Sequence, residues 1–372
     1  MISYLKSTNL SSLKELLKKN NNKRILVISG KKSYYKSGAN KIFFNLFKKF
    51  KHLNFYFKQS YFPEISELIK IIRRIKIFQP DIIISIGGGS VIDYAKIANT
   101  LYDCRNIKNL IIKSKYNIKN KYCSLIAIPT TAGSGAEVTS NAVIYIDKKK
   151  YSIENEALIP NYFYFIPELI KNSSKKIKAS SGFDAMAQSL ESIISLKSNS
   201  TSIKYASKSL EYSLNNYLNF IKKPNIKNTY NMCISANLSG KAISISKTTA
   251  PHAVSYPFTA HFGVSHGHAV SLTLNEFLKF NFFNMGNINV NFNLKKRYEL
   301  IFKIFKVKNI FEFDKKLENL KKEAKLEQNF TKLGINIAEN YSKILSGVNT
   351  LRLKNNPINL DRSIIKKILL EK

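Results

Sequence analysis

Apolar residues follow two patterns along the chain. In the first half, short unbroken apolar runs alternate with stretches in which apolar residues recur every three or four positions. Residues 24–30 (RILVISG) read as a buried strand closed by a glycine, 53–57 as a second strand and 65–78 as a helix with one apolar stripe. Residues 81–86 form a third predicted strand, closed by Gly87, Gly88, Gly89 and Ser90 and followed by a helix from Val91 to about Leu101. A fourth, 125–128, runs into Pro129. Continuous apolar strands alternating with helices predict a parallel sheet covered on both faces. From about Leu169 the strand signals fade, and helical spacing takes over at 182–196, 202–221, 230–246 and in the Lys- and Asn-rich tail beyond Asn281. The expected architecture is an α/β domain over 1–167 and an all-α domain over 168–372, with the boundary near Pro167.

The first twenty residues carry Leu5, Leu10, Leu13, Leu16 and Leu17 among polar neighbours. This is the pattern of an amphipathic helix; a signal peptide needs an unbroken apolar centre. No apolar run approaches the roughly 20 residues that span a bilayer. Cys104, Cys123 and Cys233 are odd in number and lack CxxC spacing, which argues against a disulfide framework and for a reducing compartment. A cytoplasmic protein with no membrane partner is expected.

Charge changes the picture less than its size suggests. Sixty Lys+Arg against 24 Asp+Glu leave a formal net charge of +36. Such a balance can mark a nucleic-acid partner through counterion release. Here the excess is nearly all Lys, spread in short clusters such as 148–150 and 175–176, and it accompanies abundant Asn, Ile, Phe and Tyr with no Trp. Codon drift in an AT-rich genome produces that combination, so no nucleic-acid role is expected. The field still favours anionic substrates and cofactors at low salt.

Residues 81–96 read DIIISIGGGSVIDYAK. A strand, three glycines and a helix start gather backbone N–H groups and the positive end of a helix dipole, which suits a pyrophosphate. The GxGxxG fingerprint is not met, because Ile92 stands where the third glycine belongs. A tight strand-to-helix connection explains the same residues equally well.

Two later segments shift that balance. Asp184 and Gln188 in GFDAMAQ (182–188) are four apart at a predicted helix start, so they share a face. His252, His261, His266 and His268 are four of the protein's five histidines, within 17 residues. Imidazoles and a carboxylate suit Fe²⁺ or Zn²⁺, and an amide oxygen can complete the shell.

The segments GGGSVIDYAK (87–96), IPTTAGSGAEVT (128–139), GFDAMAQSLES (182–192) and PHAVSYPFTAHFGVSHGHA (251–269) together resemble the iron-containing (group III) alcohol dehydrogenase family, in the family's order. The resemblance covers about residues 24–280. It implies a Rossmann-like dinucleotide-binding N-terminal domain, an all-α metal- and substrate-binding C-terminal domain, NAD(P)H and one divalent metal in a cleft, and a homo-oligomer such as a dimer. By position, Asp184, His252 and His266 look like metal ligands. Gln188 stands where many members have a ligand histidine, so either its amide oxygen coordinates or the site has three protein ligands. Tyr256 stands where many members carry a histidine linked to proton delivery, a role open to Tyr256 or to His268. Gly87, Gly88, Gly89 and Ser90 look like contacts of the cofactor pyrophosphate, with Thr130 and Thr131 on the adenine and ribose side, Lys150 near the nicotinamide ribose, and Asp93 and Ser134 also at the cofactor site. Gly30 replaces an aspartate common in NAD-preferring members, which predicts that NADPH is accepted.

The resemblance implies reduction of an aldehyde to a primary alcohol. Within the family, 244–272 with Gln188 and 198–201 look most like phosphonoacetaldehyde reductases, with Lys241 or Lys247 available to a phosphonate. A general short-chain alcohol or butanol dehydrogenase is the nearer alternative; a non-catalytic basic binding protein on a decayed scaffold is the distant one.

Overall fold

A computed structural model describes residues 10–20, 22–60, 62–287 and 292–371. Leu5, counted above in the amphipathic helix, lies outside them; a helix runs Leu10–Lys18 and buries Leu13 and Leu17. The chain divides into two compact units, 1–173 and 174–372.

The first unit is built on a five-stranded parallel sheet. Its strands are β1 (Ile25–Gly30), β2 (Leu53–Lys58), β3 (Ile82–Gly87), β4 (Ser124–Pro129) and, after a hairpin, β7 (Tyr162–Phe163), in the order β2-β1-β3-β4-β7. Alternation within the apolar runs sends side chains to two cores. Leu26, Ile28 and Ile83 pack on one face with Leu68, Ile71 and Tyr94. Ile25, Val27, Ile82, Ile84 and Ile86 pack on the other with Phe43, Phe47 and Leu169. A sheet buried on both faces has no use for polar alternation, which is why these strands read as solid apolar runs.

The order of the strands decides where a ligand can sit. From β1 the chain goes first to β2 on one side, then to β3 on the other, so the connections diverge beyond the carboxyl ends of β1 and β3. Open α/β sheets bind ligands at such a switch point. Gly30 and Gly87 are the last residues of those two strands.

Residues 141–154 are a correction to the sequence reading, which saw only a lysine cluster there. Asn141–Ile146 (β5) and Lys149–Glu154 (β6) form an antiparallel hairpin. Its two turn residues, Asp147 and Lys148, both have positive φ (50° and 62°), the conformation of the tight turn usually marked by Asn-Gly. Asp-Lys hides that signal. Pro167–Lys171 is a short helix whose Leu169 is buried in the sheet's core, and it lies in the first unit.

The second unit is helical. Lys175–Ile194, Ser200–Lys222 and Ile226–Ser246 pack together, and the interface includes buried serine pairs such as Ser189 with Ser209 (2.8 Å) and Ser213 with Ser235 (2.6 Å). Asparagine, abundant in this chain, supplies N-caps: Asn199 and Asn225 close capping boxes, and Asn293, Asn309, Asn336 and Asn349 each accept a hydrogen bond from the first turn that follows. A second core forms where Ala250–Phe262 meets later helices through Val254, Phe258, Phe277, Phe330 and Ile344. Among the described residues, no helix is long and apolar enough to cross a membrane.

Candidate metal centre and cofactor loop

Asp184 lies in the middle of the helix Lys175–Ile194, not at its start, and is buried. The helix start predicted near residue 182 is therefore corrected: the helix begins at Lys175, more than two turns before Asp184. Around Asp184 the second unit brings two imidazoles. His252 Nε2 lies 3.2 Å and His266 Nε2 3.9 Å from Asp184 Oδ1. One ligand atom from each of the three residues lies within 4.8 Å of the others, which is the span of donors around a single ion.

Local packing makes this convergence possible. Gly267, beside His266, sits so close to the Asp184 helix that a Cβ there would stand 2.0 Å from the Ser180 carbonyl oxygen and 2.8 Å from Asp184 Cβ. Ser180 adds a polar tie, its hydroxyl accepting from the Ser265 hydroxyl (2.9 Å) and from the His268 N–H (3.1 Å). His252 is set by a residue that sequence reasoning missed. Glu191, fully buried, accepts from His252 Nδ1, and its other oxygen accepts from Thr249 N (2.9 Å), Thr249 Oγ1 (3.1 Å) and His252 N (3.3 Å). The carboxylate thus caps the helix Ala250–Phe262 and orients its imidazole at once. Glu191 falls two turns after Asp184, on the same face, and that spacing was the available signal.

The electrostatics ask for a cation. Burial opposes a charge on His252, yet the Glu191 and Asp184 carboxylates outweigh it and raise the imidazole to about 9. Two buried carboxylates around one imidazole are stable when positive charge stands between them, whether a proton or a metal. The donor set fits a divalent ion.

Gln188, also buried, lies one turn from Asp184, and its amide oxygen accepts from the Ser239 hydroxyl at 3.0 Å. Tyr256 stacks on His266, with ring centroids 5.7 Å apart and planes inclined by 29°. Burial pushes its hydroxyl up to about 12, opposed in part by the charge of Arg352. His268 is placed differently: its Nε2 lies 2.6 Å from the Glu327 carbonyl oxygen, and it is not part of the Asp184 cluster. Lys241 is turned toward the Tyr205 ring at 5.9 Å, and Lys247 ends its helix with φ 60° and ψ 178°.

In the first unit, β3 ends at Gly87 and a helix, Gly89–Thr100, begins directly, with Gly88 as its N-cap. The turn is tight because Gly87 has no side chain: a Cβ would strike Val91 at 2.5 Å. The loop after β4 closes over it. Thr130 N donates to Gly87 O (3.0 Å), Thr131 Oγ1 lies 3.4 Å from where a Gly88 Cβ would be, and Ser134 Oγ 2.7 Å from a Gly89 Cβ. Gly87, Gly88, Gly89, Ser90, Thr130, Thr131 and Ser134 are therefore brought together at the carboxyl edge of the sheet. Asp93 faces the hairpin instead, accepting from Val143 N (3.2 Å) near Lys96 and Lys150, and burial raises its carboxyl to about 6.

Lys96 ties these pieces. Fully buried, its Nζ donates to Ala136 O (3.0 Å), Thr139 O (2.8 Å), Thr139 Oγ1 (2.9 Å) and Asn141 O (2.6 Å), and desolvation lowers it to about 8. It fastens the helix after the glycine loop to the segment that covers that loop.

The chain is similar to several known proteins. A 4-hydroxybutyrate dehydrogenase of Clostridium kluyveri is 32% identical over 58% of this chain and 59% of its own length. A phosphonoacetaldehyde reductase of Streptomyces viridochromogenes is 29% identical over 56% of this chain and 55% of its own. The match thus spans little more than half the length of either relative. The fold is shared with a sulfoacetaldehyde reductase of Bifidobacterium kashiwanohense solved with NAD⁺, at a TM-score of 0.85 and 22% identity over 100% of this chain and 98% of that one. Residues 3–167 match the model of the iron-containing alcohol dehydrogenases and residues 178–372 that of the family's C-terminal region, so the chain belongs to the iron-containing alcohol dehydrogenase family.

Proposed function

We propose that this chain is a metal-dependent, NAD(P)H-linked dehydrogenase that reduces an aldehyde with an anionic end, phosphonoacetaldehyde above all, to the primary alcohol. The observation that carries this reading is the cluster of buried Asp184 and His252 with half-buried His266, and Glu191 behind it. A bound divalent metal, Fe²⁺ or Zn²⁺, would supply a Lewis acid for the carbonyl oxygen, and the reduced nicotinamide would supply the hydride. Asp184, His252 and His266 would hold the metal, and Gln188 lends a neutral oxygen close by. The protein's own part is to orient and to handle a proton. Glu191 fixes which nitrogen of His252 faces Asp184. Tyr256 keeps its proton near neutral pH, and its position against His266 suits it to deliver that proton to the product oxygen.

The glycine loop under Thr131 and Ser134 supports a cofactor pyrophosphate at the switch point of the sheet. At the end of β1, Gly30 offers no carboxylate, and Lys58 Cε lies 3.9 Å from where its Cβ would be. A strand end without a carboxylate does not repel a 2′-phosphate, so NADPH is accepted.

A substrate panel with metal analysis on one sample tests the reading. Purified protein should carry about one divalent ion per chain and consume NADPH with phosphonoacetaldehyde faster than with butyraldehyde. Asp184→Asn should lose both metal and turnover. Equal rates with the two aldehydes would favour a general short-chain alcohol dehydrogenase. A protein that binds no metal, turns over no aldehyde and holds nucleic acid in a salt-dependent way would instead be a basic binding protein.

A further inference from the structure

Pro257 lies inside the helix Ala250–Phe262, on the stretch of chain between the two imidazoles that face Asp184. Proline has no N–H, so the carbonyl of Ala253, four residues earlier, has no partner from its own helix, and the proline ring crowds it. Ala253 is fully buried, and a buried carbonyl needs a donor. A segment far along the chain supplies one. The Asn349 N–H donates to the Ala253 carbonyl at 3.2 Å. Gly347 comes so close that a Cβ there would stand 3.1 Å from Pro257 Cβ and 3.2 Å from its Cγ. Asn349 is held in turn as the N-cap of the short helix Thr350–Leu353, its side chain accepting from the Arg352 N–H at 2.9 Å. Residues 347–349 thus form a wedge at a break in the hydrogen bonding of the helix that carries His252.

The place of the break gives it a consequence. His252 and Tyr256 precede it. The last turn of the helix follows it, then Gly263 (φ 69°), then His266. After that turn His266 comes back against the Tyr256 ring, with centroids 5.7 Å apart, and faces Asp184 Oδ1 at 3.9 Å. The path from one imidazole to the other therefore runs through Pro257. An unbroken helix, with an N–H at 257 bound to Ala253, would send its last turn along a different line. Proline at the break and an outside N–H to fill it select one path.

We infer that Pro257 and the Asn349 N–H position His266, holding it at the distance from Asp184 and His252 that a single ion requires; the inference rests on the proposed metal centre. Three variants separate positioning from stability. Pro257→Ala supplies the missing N–H, so Ala253 is satisfied within its helix and Asn349 is released. Asn349→Pro removes the outside donor at a residue whose φ of -80° already suits proline. Asn349→Ala keeps the N–H and loses only the cap.

Competition with a chelator for Zn²⁺ should show affinity about 10–100-fold weaker in Pro257→Ala and Asn349→Pro, and within about 2-fold of wild type in Asn349→Ala. Urea unfolding of the metal-free proteins should find Pro257→Ala no less stable than wild type, because alanine suits a helix interior and proline does not. A role in stability alone would move the unfolding and not the affinity. Hydrogen exchange of metal-free Pro257→Ala should show the amides of 347–350 less protected than in wild type. Unchanged affinity in both Pro257→Ala and Asn349→Pro overturns the inference, as does an equal loss in Asn349→Ala, which would assign the effect to the cap. A wild type that takes up no Zn²⁺ would sink the metal centre and this role with it, whereas unaltered protection of 347–350 in Pro257→Ala would remove the wedge alone.

Discussion

Glu191 accepts a hydrogen bond from Nδ1 of His252 while Asp184, two turns earlier on the same helix, faces Nε2 of the same ring. One helix face therefore grips both nitrogens of an imidazole that is 61 residues further along the chain. The ring's orientation is settled before any ion arrives. Replacing Glu191 by Gln keeps the shape and removes the charge that fixes the tautomer, so divalent metal affinity should fall about 10–100-fold. Competition with a chelator of known affinity measures this. Undiminished affinity would mean that Glu191 serves only as a helix cap.

Gly267 predicts how little room the centre has. An alanine there places a methyl group against the Ser180 backbone, which has no flexible end to yield. Gly267→Ala should displace His266 from Asp184, cost about 1–3 kcal/mol in stability and abolish stoichiometric metal binding. Gly263→Ala is the contrast. That position has open space but a positive φ (69°), so it should cost about 1 kcal/mol and leave metal content intact. Metal analysis beside urea unfolding distinguishes the two.

Lys96 predicts a pH signature in the first unit. Folding lowers its pKa to about 8, below the value of a free lysine, so between about pH 8 and about pH 10.5 the unfolded chain holds a proton that the folded one has released. The unfolded state binding more protons means that stability rises with pH across this window. Lys96→Met removes that increment and leaves the oxygens of Ala136, Thr139 and Asn141 without their shared donor, at a cost of about 1–3 kcal/mol near neutral pH. Urea unfolding of both proteins at either end of the window reads the difference. Parallel pH profiles would show that Lys96 is not the responsible group.

Lys247 carries backbone strain beside the metal helix. Its φ of 60° and ψ of 178° belong to a region that glycine alone adopts freely. Relief of strain, about 1–3 kcal/mol, outweighs the added flexibility of a glycine in the unfolded chain, about 0.5–1 kcal/mol. Lys247→Gly should therefore raise the melting temperature, and Lys247→Ala should not. Equal melting temperatures for the two variants would refute the strain.

Local pattern was enough for much of this molecule. The apolar runs at 81–86 and 125–128 read as strands of a sheet buried on both sides and fall within a residue of the observed Ile82–Gly87 and Ser124–Pro129, and the stripe at 65–78 marked its helix to the residue. The glycines at 87–89, the Asp184–Gln188 spacing and the crowded histidines were visible for the same reason: each lies within a few residues of its companions. What lies far apart in the chain was decided by packing. Nothing in the one-dimensional pattern places Glu191 behind His252, turns His268 to the Glu327 carbonyl or brings the Asn349 N–H to the Ala253 carbonyl. These pairings depend on how closely two helices can approach, and that is set by such facts as the missing side chain at Gly267. Periodicity records which face of an element is buried. Only the assembled tertiary structure determines what that face meets.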